Sequence, residues 1–265
     1  MNYKNLFVYW RTVLTVAEIT LRHQMNDSFI VFAILIQPVI IATLALFMLK
    51  DTAANAAMFV VVGSGLTGLW SGLLFISGNS INNERWQGTL ESLVGAPTPF
   101  DVIVFGKNLA NVVQSLLSMI VAYLLAALFF NVTLHIDQPL LFIVSLLISV
   151  FAFISFGLTI APIFVMYREV QQWQNALEYP MYILAGFLFP ILLLPGWTTP
   201  LSYILPPYWA AVALHGTSTA NAPLTQTLFA WGMMLGLGLI DLLIAKRLFK
   251  IMLYKARVDA TLDVQ

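Results

Sequence analysis

The sequence predicts an all-α membrane protein, and three observations lead to that class. Apolar residues make up 60% of the 265 residues, whereas only 9% are charged. A soluble domain normally carries about 25% charged residues. The apolar residues gather in runs of about 20, the length that a helix needs to cross the hydrocarbon layer. No polar stretch is long enough to enclose a core of its own, so residues 1–265 are predicted to form a single transmembrane domain.

Composition excludes several classes of function. The formal net charge is zero, which leaves no basic field for a nucleic acid, and cysteine is absent, which excludes disulfides and thiolate metal sites. The N-terminus does not resemble a cleaved signal. The first apolar run has the length of a span rather than the roughly 7–15 residues of a signal-peptide core.

The first predicted element is an amphipathic helix over residues 5–25. Its apolar residues recur at helical spacing: Leu6, Trp10, Val13, Leu14, Ala17 and Leu21. Glu18 and Arg22 form an i,i+4 pair in the favourable order. We expect this helix to lie on the inner leaflet of the membrane. Packing against the cytoplasmic end of the helix bundle is the alternative.

Six apolar runs then predict six transmembrane helices, because backbone polar groups in lipid must bond within their own segment. The runs cover residues 29–49, 56–81, 102–130, 140–167, 177–194 and 228–249. With six spans, Lys50 falls on one side of the membrane and every other lysine and arginine falls on the opposite side. Cytoplasmic loops carry such an excess, which predicts that both termini are cytoplasmic.

The loop over residues 82–101 is unusually charged and has signals for a rigid structure. It contains the run Glu84-Arg85-Trp86-Gln87-Gly88-Thr89-Leu90-Glu91. An asparagine before this run can cap a short helix, Gly88 interrupts it, and Thr89 can cap a further turn. Thr98-Pro99-Phe100-Asp101 has the pattern of a new helix start. A short charged helix at the membrane face could dock a soluble partner; an ordinary solvated loop is the alternative.

The pattern from Glu84 to Lys107 closely resembles that of type-2 ABC export permeases. It reads Glu-Arg, two residues, Gly-Thr-Leu-Glu, a proline, and then Gly106-Lys107 at the opening of the third span. A more degenerate second stretch agrees, from Ala185-Gly186-Phe187-Leu188-Phe189-Pro190 through Leu194-Pro195-Gly196-Trp197 to Pro206-Pro207-Tyr208. One departure is His215, near where relatives often carry arginine, which leaves the role of that position open.

The resemblance implies the membrane-spanning subunit of an ATP-binding cassette exporter. The mostly apolar spans, rather than the resemblance, suit an amphipathic cargo such as a small molecule, a drug, an antibiotic or a lipid-linked molecule. ATP and Mg²⁺ would bind to a partner ATPase, in two copies per complex, and this chain would be no enzyme and hold no cofactor. A second permease subunit would complete a homodimer or heterodimer in the lipid bilayer of the plasma membrane, which in bacteria is the inner membrane.

The resemblance also implies two groups of site residues. The coupling loop would seat in the ATPase, with a smaller contact over residues 168–178 that includes Glu178. The residues implied for ATPase coupling are Glu84, Arg85, Gly88, Thr89, Glu91, Lys107, Arg168 and Glu169. The outer segment, residues 195–215, would dip back into the membrane before the last span and contribute to an exit gate. The residues implied for that gate are Pro195, Trp197, Tyr203, Tyr208 and Trp209. Simple anchoring at the membrane interface is the alternative for the last three.

The predicted spans also contain small residues suited to helix packing and two notable polar residues. Small residues spaced by four let helices approach closely; these are Ser64, Gly68 and Gly72, and then Gly232 and Gly236. Asp241 is expected to be an interfacial acid neutralised by Lys246 and Arg247, or else part of a proton or cation relay. Gln37 either bonds within the bundle or faces the transport path.

The sequence contains no loop with the residues that bind and hydrolyse ATP. Around the Gly106-Lys107 pair, Asp101 stands where a phosphate-binding loop requires glycine and Asn108 replaces its hydroxyl residue. The three histidines, His23, His135 and His215, lie far apart, so we predict no metal or catalytic site and expect each in an interface or loop. A polysaccharide or glycolipid export permease, and an ion-coupled carrier or channel, are the alternative functions.

Overall fold

The structure is a computed structural model, and all regular structure in its described residues is helical. The described residues are 3–26, 28–32, 36–37, 40–41, 43–44, 56–77, 88, 98–130, 136–165, 170–189, 191–218 and 222–258. In chain order the α-helices of this part are α1 (Tyr3–Asn26), α2 (Ser28–Val31), α3 (Ala56–Ser71), α4 (Phe100–Phe130), α5 (Pro139–Val165), α6 (Val170–Leu184), α7 (Thr199–Ile204), α8 (Pro206–Ser218) and α9 (Leu224–Val258). A π-helical turn, Gly72–Ser77, continues α3, and two 3-10 turns, Ile191–Leu193 and Gly196–Thr198, precede α7.

Four of the described helices are long and apolar enough to cross a membrane. Their apolar segments are Met58–Phe75, Val102–Val121, Pro139–Phe164 and Leu224–Met252. They coincide with the second, third, fourth and sixth predicted spans. Most of the first predicted span, residues 29–49, lies outside the described residues, so the count of six spans stays a prediction.

The fifth predicted span, residues 177–194, is wrong as a continuous helix. α6 already begins at Val170 and ends at Leu184. Gly186 then adopts a left-handed backbone conformation with φ of 67°, and the amide of Phe187 donates to the carbonyl of Tyr182 across 3.2 Å. A glycine in this conformation is a common helix stop. The apolar run therefore continues where the helix does not.

α3 lies at the centre of the fold, and α9 lies at its edge. Of the apolar segment in α3, 89% is buried inside the protein, against 22% in α9. α3 packs against α4, and α5 packs against both α8 and α9. Large side chains fill the space between these helices, among them Trp70, Phe153 and Leu214. Because lipid tails are as apolar as these side chains, close packing rather than escape from water holds such helices together.

Two glycines of α3 allow its neighbours to approach closely. A Cβ atom on Gly63 would lie 2.2 Å from the carbonyl oxygen of Phe187, and one on Gly65 would lie 2.5 Å from Met119. The predicted stripe of small residues runs along the same helix. Its member Gly68 accepts a hydrogen bond of 3.2 Å from the Ser115 hydroxyl of α4, while Ser64 and Gly72 are buried.

The glycines predicted to pack α9 have a different environment. No described residue lies within 4 Å of a Cβ atom built on Gly232 or Gly236. α9 approaches α5 instead at Gly238, where a Cβ atom would lie 2.8 Å from the ring of Phe151. Gly232 and Gly236 therefore remain on the outside of this chain.

The N-terminal helix α1 packs along α4. This contact agrees with the alternative prediction that the helix packs against the bundle. Val13 and Ala17 are buried, and a Cβ atom on Gly106 would lie 2.9 Å from the Val13 carbonyl oxygen. The other edge of the apolar stripe is open, since Trp10 is 56% exposed and Leu14 is 48% exposed. α1 thus shares its apolar surface between the bundle and its surroundings.

Candidate functional site

Most of the predicted ATPase-coupling residues lie outside the described part of the chain. These are Glu84, Arg85, Thr89, Glu91, Arg168 and Glu169. Gly88 is described: it is exposed in a turn, with φ of 67° and no described residue near its Cβ position. A turn at Gly88 agrees with the expectation that glycine interrupts the charged segment there.

The charged loop is followed directly by the long helix α4. α4 begins at Phe100, within the predicted start over residues 98–101, and the Val102 amide donates to the Pro99 carbonyl across 3.1 Å. Lys107 lies half-buried in the second turn of α4. The whole helix is 31 residues long. The charged loop is therefore followed by a long helix that packs on α1 and α3.

Three of the five predicted outer-gate residues meet in one aromatic cluster. The rings of Tyr203, Tyr208 and Trp209 lie 5.0–5.4 Å apart. The indole Nε1 of Trp209 donates to the Tyr203 carbonyl across 2.9 Å. Trp209 also contacts Phe229 of α9 edge-on, with ring centroids 5.4 Å apart. The cluster therefore ties α7 and α8 to the beginning of the last helix.

The other two predicted gate residues do not join this cluster. Pro195 is exposed, and Trp197, in the 3-10 turn before α7, is 73% exposed. The helix α8, in contrast to these two exposed residues, is buried. Nearly all of α8 is buried between α3, α5 and α9, yet its 13 residues extend only about 20 Å. α8 is too short to cross a hydrocarbon layer of about 30 Å.

His215 lies inside the bundle, so its predicted place in an interface or loop is wrong. The side chain is 8% exposed. Its ring stacks on Phe59 of α3 with centroids 3.8 Å apart, and Nε2 lies 3.0 Å from the carbonyl oxygen of Phe187. His23 is exposed on α1, and His135 lies outside the described residues. The stretch of apolar residues before His215 was the signal that could have placed it in the core.

Glu178 is also buried, which contradicts its expected place in a contact with the ATPase. It is 5% exposed. Its Oε1 accepts hydrogen bonds from the Ser71 hydroxyl at 3.0 Å and from the Tyr182 hydroxyl at 2.7 Å. The side-chain amide of Gln37 lies 3.5 Å from the same oxygen, so Gln37 bonds within the bundle. Helical spacing of Gln174, Glu178 and Tyr182 could have indicated one shared polar face.

Asp241 is not neutralised as expected. Lys246 and Arg247 are exposed, and the ion pair recorded among the described residues joins Glu18 and Arg22 at 2.6 Å. Positions five and six residues along an α-helix lie away from the face of the first residue, so the basic side chains point elsewhere. The backbone carbonyl of Asp241 accepts a hydrogen bond of 2.9 Å from Thr159 of α5.

Long apolar helices packed around a short buried helix define a multi-pass helical membrane protein. Residues 11–217 match the family described as ABC-2 type transporter, and the chain belongs to that family. It is also similar to ABC transporter G family member 20 of Dictyostelium discoideum, with 29% identity over 140 residues. The similar region covers 53% of this chain and 19% of that protein.

Membership of this family confirms the resemblance found from the charged loop. The chain therefore contains the membrane domain of an ABC-2 type transporter. The family match includes both the loop over residues 82–101 and the outer segment over residues 195–215.

Proposed function

We propose that this chain is the permease subunit of an export-type ABC transporter. It moves an amphipathic small molecule, a drug, an antibiotic or a lipid-linked cargo with ATP hydrolysed by a separate ATPase subunit. The family match over residues 11–217 carries this proposal, because it extends from α1 through the coupling loop to α8. The low charge content of the chain supports an amphipathic cargo over a highly charged one.

Residues 84–91 act as the coupling element that contacts the ATPase. The exposed turn at Gly88 supports this role, because a docking segment must be accessible. α4 begins shortly after the loop and is 31 residues long, or about 46 Å. A helix of that length transmits a displacement of the loop deep into the bundle. Arg168 and Glu169 add a second, smaller contact.

The outer segment forms part of the exit. α8 supports a re-entrant arrangement because it is buried and too short to span the membrane. The Tyr203–Tyr208–Trp209 cluster links this segment to α9, so that movement of one shifts the other. The distribution of lysine and arginine supports a cytoplasmic place for both termini, which requires an even number of crossings. In this arrangement α6, of 15 residues, and the irregular segment after it together form the fifth crossing.

Two permeases and two ATPases form the working complex. One face of α6 supports pairing, since Trp173, Leu177 and Ile183 are exposed while the opposite face is buried. Large apolar side chains exposed on a short helix require a cover of lipid or of a second subunit.

Charge reversal in the coupling loop tests the proposal. We expect Glu84→Lys combined with Glu91→Lys to lower ATP hydrolysis by the assembled complex in nanodiscs by at least about tenfold, because like charges then meet at the contact. Glu18→Lys is the matched control, since Glu18 is exposed on α1 outside the loop. Full coupled hydrolysis by the double variant would count against docking through residues 84–91.

A further inference from the structure

A carboxylate lies among apolar helices at Glu178, and no described basic residue compensates its charge. Glu178 is 5% exposed. Ser71, which donates to it, belongs to the segment Met58–Phe75 that is able to cross the membrane. The one ion pair of the described residues, between Glu18 and Arg22, lies on α1. An ionisable group at such a position is costly and commonly marks a substrate or ion pathway.

The hydrogen bonds to Glu178 fix one of its oxygens and leave the other for a further partner. Ser71, Tyr182 and Gln37 all donate to Oε1, at 3.0, 2.7 and 3.5 Å. Each of these donors is neutral, so they orient the carboxylate without cancelling its charge. Oε2 accepts no hydrogen bond from another described residue.

Two irregular helical segments flank this carboxylate. The π-helical turn Gly72–Ser77 begins directly after Ser71, and the side-chain amide of Gln174 donates to the Leu74 carbonyl within that turn at 2.7 Å. Pro180 lies inside α6, two residues after Glu178. Turns of this kind recur at functional sites, and proline inside a helix permits bending.

The ring of Tyr182, whose hydroxyl donates to Glu178, and the adjoining ring of Tyr179 indicate which cation fits. Tyr179 is 61% exposed, and its ring meets that of Tyr182 edge-on with centroids 5.8 Å apart. Aromatic faces attract bulky, weakly hydrated cations such as quaternary ammonium groups. A small divalent ion would instead require about six oxygen ligands, whereas this site has one uncommitted carboxylate oxygen.

We propose that Glu178 binds the positively charged group of an amphipathic cargo, such as an amine or a quaternary ammonium group. Tyr179 and Tyr182 provide aromatic surface beside that charge. This inference rests on the proposed export function, because it names the charge class of the cargo. It makes Glu178 a specificity-determining residue: a neutral cargo of the same shape binds without its help.

Two ions of the same shape and opposite charge test the inference. We expect tetraphenylphosphonium to bind to the complex of the full chain and its ATPase in nanodiscs, and Glu178→Gln to weaken that binding by at least about tenfold. Glutamine keeps an oxygen that can accept the three hydrogen bonds, so the change removes mainly the charge. The affinity for tetraphenylborate should not fall in Glu178→Gln. Glu18→Gln, on the exposed face of α1, should leave both affinities unchanged.

A second variant keeps the test valid if glutamine disturbs folding. Glu178→Asp retains the charge and should bind tetraphenylphosphonium within a few-fold of the wild-type affinity. No binding of tetraphenylphosphonium to the wild type, or equal losses for both ions, would overturn the inference. ATP hydrolysis by the same preparation separates the two proposals, because an assembled, ATP-hydrolysing complex without cation binding would leave the export function standing.

Discussion

Gly63 lies where the backbone after α6 comes closest to α3. The carbonyl oxygen of Phe187 occupies the place of its missing side chain, and the same oxygen faces the imidazole of His215. One backbone group thus fixes the spacing between α3, the end of α6 and α8. The sequence predicted that small residues of α3 would let a neighbouring helix approach. It could not identify Gly63, because the approach of the Phe187 backbone to α3 depends on the turn at Gly186.

Adding one methyl group at Gly63 should therefore destabilise the protein. Gly63→Ala places a Cβ atom 2.2 Å from a backbone oxygen, and overpacking of this kind costs about 1–3 kcal/mol. The free energy of unfolding in mixed micelles measures the effect. Gly65→Ala should cost less, because it meets the flexible side chain of Met119 rather than backbone.

Gly236→Ala is the matched control for this series, since no described residue lies within 4 Å of its Cβ position. Alanine also favours a helix more than glycine does, by about 1 kcal/mol. The control should therefore be neutral or slightly stabilising. Equal stability of the Gly63 and Gly236 variants would contradict the close approach at Phe187.

At the scale of elements, hydropathy and charge predicted the long helices well. Four predicted spans coincide with helices able to cross a membrane, because length and apolar composition are properties of each segment alone. The same pattern failed for residues 177–194, where apolar residues continue beyond the helix end at Leu184. It also failed for Glu178 and His215, whose burial depends on partners far away in the sequence.

The outer segment is held by α8 and its aromatic cluster, so Trp209 should be its main anchor. Trp209 is 7% exposed, and Trp209→Ala should destabilise the protein by about 3–5 kcal/mol, as for other large buried side chains. Trp197→Ala is the matched control, because Trp197 is 73% exposed. Thermal unfolding of both variants in nanodiscs measures the difference, and similar losses would contradict the anchoring role.

For the whole molecule, we propose that this chain forms the transport path and that a separate ATPase supplies the energy. It carries a charged loop, a long helix that begins after that loop, and a buried outer segment joined to the last helix by aromatic contacts. The charged loop stays a prediction from the distinctive spacing of its residues. The sequence could not predict the arrangement of α6 against α3, where a buried carboxylate meets a π-helical turn.

The mass of the intact assembly shows whether this chain works together with a separate ATPase. Native mass spectrometry should be applied to the complex isolated from its own membranes through a tag on this 29.5 kDa chain. The account predicts two permease subunits together with two copies of an ABC ATPase, and loss of the ATPase copies in the Glu84→Lys, Glu91→Lys variant. An assembly whose mass is a multiple of this chain alone, with no ATPase bound, would contradict it.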